Sequence, residues 1–205
     1  MVHATEPSPE RDAAIAAMLP HVPFDGWTFR AVRMGLADIG VPPDEAELLF
    51  PGGAADMIEA FCDWADRGME AEAATLDLVA RRVHERVRAV IALRLARNRP
   101  HKEAIRRALA WLALPSHVRL AATCTARTAD AVWHAAGDRS ADFSWYTKRA
   151  ILAAVYGATL LYWLRDGSED EVATLAFLDR RLAGVGRIGS LRRRAEQAFA
   201  RACPA

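Results

Sequence analysis

Apolar positions recur at helical period along almost the whole chain, and no stretch alternates apolar and polar residues well enough for a strand. "RDAAIAAMLPHV" reads as a helix up to Pro20, and "WTFRAVRMGLADI" as a second that stops at Gly40. "PPDEAELL" is a short third, with Pro42 and Pro43 suited to a helix start and Asp44, Glu45 and Glu47 to its first turn. "AADMIEAFCDWADRGMEAEA" puts Met57, Phe61, Trp64 and Met69 roughly on one face. Leu76, Val79, Val83, Val87 and Val90 step by 3, 4, 4 and 3, which predicts one helix with a single apolar stripe. Arg81, Arg82, Arg86, Arg88, Arg94 and Arg97 surround that stripe and read as a solvated face. After a break at 98–101, "KEAIRRALAWLAL" runs to Pro115, a long helix runs to Gly137, and an apolar helix covers about 144–165. "SEDE" predicts a capping box, Ser168 the cap and Glu171 three residues on, opening "EVATLAFLDRRLAG". The expectation is an all-α protein of nine or ten helices. It comprises a disordered leader over 1–9, a helix-turn-helix-like head over 10–70, a helical body over 71–186 and a basic amphipathic tail over 187–205.

The head poses a question. A helix, a glycine turn, a proline and a short second helix is how a DNA-reading helix-turn-helix is written. Affinity for phosphate rests on Lys and Arg releasing counterions. Yet the short helix carries only acids, and residues 1–70 hold 13 acids against 4 arginines, a net of −9. The rest of the chain carries +10. The expectation is no nucleic acid at the head. The longest uncharged apolar run, 150–164, has 15 residues. That is short of a membrane span and suits a buried helix. Cys62, Cys124 and Cys203 are far apart with no CxxC pair, which suggests inert thiols in a reducing compartment.

Catalytic signals are weak. "GVGRIG" (184–189) follows a helix, whereas a nucleotide loop follows a strand. "VHERV" (83–87) opens like a zinc-protease helix, but position 88 is Arg88 where a second histidine is needed. No histidine has a carboxylate three residues before it, as helical di-iron sites require. No metal, cofactor or catalytic residue is therefore expected. The arginines of 81–107 could form a nucleic-acid patch, but few aromatics accompany them, and a solvated face is preferred. Trp145 and Tyr146 are adjacent at a helix start, about 100° apart around the axis, beside Lys148 and Arg149. They suit either a partner surface or the core. In the tail, Leu191 and Phe199 share a helix face while Arg192, Arg193 and Arg194 supply charge, a pattern fit for an anionic membrane surface.

The segment "AGDRSADFSWYTKRAILAAVY", with "LPSHVRLAATCTARTADAVWHA" before it and "FLDRRL" after, resembles the ninth coenzyme-Q biosynthesis protein family in its alphaproteobacterial form. "GWT" at 26 and the spacing to "LFPGG" fit as well, so the match spans roughly 10–185. The family pattern usually has Asn at Ser144 and often Thr at Ala141. The resemblance implies a TetR-like fold whose head has lost DNA. It also implies a non-catalytic accessory protein that binds an isoprenoid or quinone lipid and supports the di-iron hydroxylase acting on demethoxyubiquinone. The family's partner surface lies around Trp145, Tyr146, Lys148 and Arg149, which shifts that helix start towards an interface. A lipid pocket would lie between body helices, with Val87, Val90, Ile91, Leu120, Cys124, Leu152, Val155 and Leu160 as candidate lining; a solid core would use the same residues. The protein is expected in the cytoplasm, peripheral at the inner membrane. TetR-like bodies often form homodimers. The alternative is a TetR-type transcription regulator with an apolar ligand.

Overall fold

The structure, a computed structural model, describes residues 8–138, 144–168 and 170–185, with Ser144 and Trp145 described in their backbone alone. Among the described residues every regular element is helical. The first three helices are α1 (Pro9–Met18), α2 (Val22–Asp25) and α3 (Phe29–Asp38), and a 3-10 turn (Pro43–Glu45) leads into α4 (Ala46–Leu49). Then come α5 (Ala54–Ala73), α6 (Val83–Asn98), α7 (Lys102–Leu112), α8 (Val118–Ala135) and α9 (Ser144–Arg165). Residues 172–185 form α10.

Local signals set many of these bounds. Ser8 Oγ accepts the Arg11 N–H at 3.1 Å and caps α1. Thr28 does the same for α3. Gly40, at φ 73°, ends α3 in a Schellman motif: the Val41 N–H reaches Leu36 O at 2.9 Å and the Gly40 N–H reaches Ala37 O at 3.1 Å. The head closes on α5 through Arg11, whose buried guanidinium donates to Leu49 O and Asp56 and lies 4.7 Å over the Phe50 ring. Trp27 Nε1 donates to Ala104 O at 3.0 Å and so joins the head to α7. Helix α5 runs unbroken across residue 70 and packs on α8, with α6, α7 and α9 completing the body.

Two expected elements are corrected. The helix proposed from Leu76 through Val90 begins at Val83, because the Glu85 carboxylate accepts the Arg82 N–H at 2.9 Å and fixes the first turn there. Residues 74–82 turn instead, burying Leu78 and leaving Leu76 and Val79 exposed. The capping box at Ser168 and Glu171 does not form. Asp166 accepts the Thr174 N–H at 3.1 Å and the Ser168 N–H at 3.0 Å. Glu171, at φ 52°, turns inward to accept from Trp163 Nε1 at 2.6 Å and from Arg99 Nε at 3.1 Å. The Ser168 and Thr174 hydroxyls, each donating to Asp166 at 2.6 Å, hold its carboxyl well below its usual range, with help from the two N–H groups.

Candidate functional site: an apolar cavity with a buried ion pair

Helices α5 to α9 line a half-open cavity of about 250 Å³. Phe61 and Cys62 enter from α5, Ile105 and Leu112 from α7, Cys124 and Thr128 from α8, and Tyr156 and Leu160 from α9. Helix α6 supplies two polar groups, Arg94 and Asn98, each 3% exposed. Arg94 lies seven residues beyond Val87 and Asn98 eleven, so both belong to the buried stripe of α6. Arg94 was expected on the solvated face. The corrected reading is a buried arginine, held because Asp66 of α5 faces it.

Arg94 Nη2 is 3.0 Å from Asp66 Oδ1. Thr128 Oγ1 donates to Asp66 Oδ2 at 3.0 Å. The remaining donors Nε and Nη1 of Arg94 have no acceptor among the described residues. The Tyr156 hydroxyl lies beside the guanidinium and interacts with it as a hydrogen-bond acceptor, though out of line with Nε and Nη1. Burial pushes the Asp66 carboxyl up to about 6, against the opposing pull of Arg94 and the Thr128 hydrogen bond. Its folded value is thus above its unfolded one, so the native state takes up the proton first. The penalty of ionised Asp66 is present above pH 6 and is relieved as pH falls from about 6 towards 4. Wild type should therefore gain stability over that window relative to Asp66→Asn. Urea unfolding of both proteins at several pH values checks this, and parallel curves would contradict it.

Cys62 and Cys124, distant in sequence, meet at the same cavity wall. Cys124 and burial together push the Cys62 thiol well above its usual range. Two further apolar spaces flank α9. One, of about 460 Å³, lies against Val87 of α6, Trp133 of α8, Leu152 and Val155 of α9 and Leu182 of α10. The other, of about 800 Å³, is an alanine-rich groove between α8 and α9 that shares Ala121 and Thr125 with the first cavity.

A protein of Schizosaccharomyces pombe named "Ubiquinone biosynthesis protein coq9, mitochondrial" is 32% identical over 177 residues, which cover 85% of this chain and 69% of the yeast protein. The chain belongs to the COQ9 family. The human member, also named a mitochondrial ubiquinone biosynthesis protein, is 32% identical over 182 residues, 85% of this chain and 57% of the human protein. The chain thus spans little more than half the length of that relative. The COQ9 family model matches residues 118–189, from the start of α8 onward. Among solved structures, a TetR transcriptional regulator from Nitrosomonas europaea superposes with a TM-score of 0.68 at 25% identity, covering 86% of this chain and 97% of the regulator.

Within this COQ9-family fold the residues singled out from sequence are distributed as follows. Cys124 and Leu160 line the first cavity, and Val87, Leu152 and Val155 the second. Val90 and Ile91 are fully buried in the core, with Leu120 half-buried against it. Tyr146 is 72% exposed at the edge of the α8–α9 groove. Lys148 sits 3.4 Å from Asp138 Oδ1 and 5.8 Å from the centre of the Trp133 ring, and Arg149 pairs with Asp130. The Trp145 side chain and the tail residues Leu191, Arg192, Arg193, Arg194 and Phe199 lie outside the described residues. In the head, Arg33 pairs with Glu47, so the acid of α4 engages one of the head's few cations. What sequence reading missed is Asp66 and Arg94. Their positions on the buried faces of α5 and α6 were the available signal.

Proposed function

We propose that this protein is a non-catalytic, lipid-binding accessory of ubiquinone biosynthesis that serves the hydroxylase acting on demethoxyubiquinone. Membership of a family named for ubiquinone biosynthesis supports the pathway. The observation that carries the lipid is the apolar cavity behind α8, continuous in its lining with the α8–α9 groove through Ala121 and Thr125. Sites for apolar ligands are concave and apolar with a few placed polar groups, which describes this cavity. The expected ligand is an isoprenoid or quinone lipid. No helix among the described residues is long and apolar enough to cross a membrane, so the proposed contact with lipid bilayers is peripheral. Extraction of the purified protein followed by mass spectrometry tests the reading. A co-purifying long-chain lipid is expected, and lipid-free protein that takes up no quinone from detergent would refute it.

The same reading places the hydroxylase at the start of α9. Tyr146 is exposed, so Tyr146→Lys should leave the melting temperature unchanged while weakening the complex by about 2 kcal/mol, the scale of an anchor residue. Pull-down with unchanged retention would remove Tyr146 from the interface.

The TetR neighbour keeps the regulator reading in view, since that protein is named for transcription. The net −9 of residues 1–70 and the pairing of Glu47 with Arg33 speak against DNA at this head. No duplex shift is expected in a mobility assay at low micromolar protein. Salt-sensitive binding lost on reversing charge within the head would favour the regulator instead.

A further inference from the structure

Arg94 is a buried polar group of the cavity that its pairing with Asp66 satisfies only in part. It is buried to 3% exposure, its Nη2 faces Asp66, and its Nε and Nη1 lack acceptors among the described residues. An unsatisfied buried donor carries its full desolvation penalty, and a larger one when charged. Apolar walls surround it: Phe61, Ile105, Leu112 and Leu160. A hydrocarbon filling this space would offer these donors no acceptor beyond the neighbouring Tyr156 hydroxyl.

We propose that Arg94 is the head-group anchor of the cavity, holding a neutral oxygen acceptor carried on a six-membered ring whose apolar chain leaves along the α8–α9 groove. This rests on the lipid-binding reading above and adds which end of the ligand enters first and what recognises it. Three observations select the head. The first is charge. Asp66 already balances Arg94, and the nearby Arg127 is held by Glu59 and Asp63, each at 2.9 Å. A phosphate or carboxylate would bring a second negative charge to a buried arginine that is already paired, whereas a carbonyl or ether oxygen accepts without adding charge. The second is size. A cavity of about 150 Å³ holds benzene, and this one measures about 250 Å³. The third is the exit. Ala113, on the cavity wall, is exposed, and Ala121 and Thr125 belong to both the cavity and the groove of about 800 Å³. A chain too long for the cavity has an apolar path there.

The test uses delipidated full-length protein and three decyl probes offered from detergent micelles: decylbenzoquinone, decylbenzene and decyl phosphate. Bound probe is quantified by mass spectrometry after gel filtration. Wild type should prefer the quinone over both others by about tenfold, the scale of one or two hydrogen bonds to a charged donor. In Arg94→Met/Asp66→Asn, which removes both charges together, retention of decylbenzene should be unchanged and the quinone should fall to within about threefold of it. Arg94→Lys keeps the charge opposite Asp66 but loses the forked donors, so it too should lose the preference, and it serves should the double variant fail to fold. A quinone preference that survives in either folded variant overturns the role of Arg94 and leaves the lipid cavity standing. A preference for decyl phosphate overturns the neutral head. Failure of wild type to retain any probe overturns the cavity reading itself and this proposal with it.

Discussion

Replacing Gly35 by alanine is expected to destabilise the protein by about 3 kcal/mol, and by valine to prevent the head from folding. In the middle of a helix this change ordinarily gains up to about 1 kcal/mol from helix propensity. Here α1 crosses α3 on that glycine. A Cβ at position 35 would stand 2.6 Å from Ala17 C, 2.6 Å from Met18 N and 2.8 Å from Ala17 O. Carbon contacts are comfortable at about 3.5–4.0 Å. All three atoms are backbone, so no side chain can swing aside, and α1 must move away from α3. That motion strips contacts from Ile15 and Met18, both fully buried. The clash therefore outweighs the propensity gain. Urea unfolding of Gly35→Ala measures the loss, and a variant as stable as wild type would show that the two helices can part at little cost.

Arg94→Met should cost 3–5 kcal/mol, whereas Arg94→Met with Asp66→Asn should recover most of that loss. The single change leaves the Asp66 carboxylate buried at 6% exposure without its cation, and an uncompensated buried charge is what makes breaking such a pair expensive. The double change removes both charges and keeps an oxygen at position 66 to accept from Thr128 Oγ1. Chemical denaturation of the three proteins at pH 7 gives the coupling directly. Additive losses in the double variant would mean that Arg94 and Asp66 do not depend on one another. The pair is thus costly to break without being a strong net source of stability, since each ion has been taken out of water.

The superposition with the TetR regulator covers most of the chain, so head and body together share a regulator's fold. On the short helix α4, Leu48 is 80% exposed and Glu47 is engaged by Arg33.

Sequence by itself determined the helices whose ends are written locally. The Gly40 stop with positive φ, the proline breaks and the long apolar α9 all follow from hydrogen bonds and sterics within a few residues. The resemblance in 114–182 likewise identified the family before any contact was known. Tertiary structure decided the rest. Whether 74–82 continues a helix depended on Leu78 finding the core, a contact that period alone assigned to Leu76 and Val79. Glu171 left its capping role because Trp163 and Arg99 offered it stronger partners from other parts of the chain. Arg94 looked like one more surface arginine because its partner, Asp66, stands 28 residues away on another helix. A single helix's pattern names the face that will be buried. It cannot say what will stand opposite, nor whether the facing side chains fill the space between them, and it is that unfilled space which forms the candidate site.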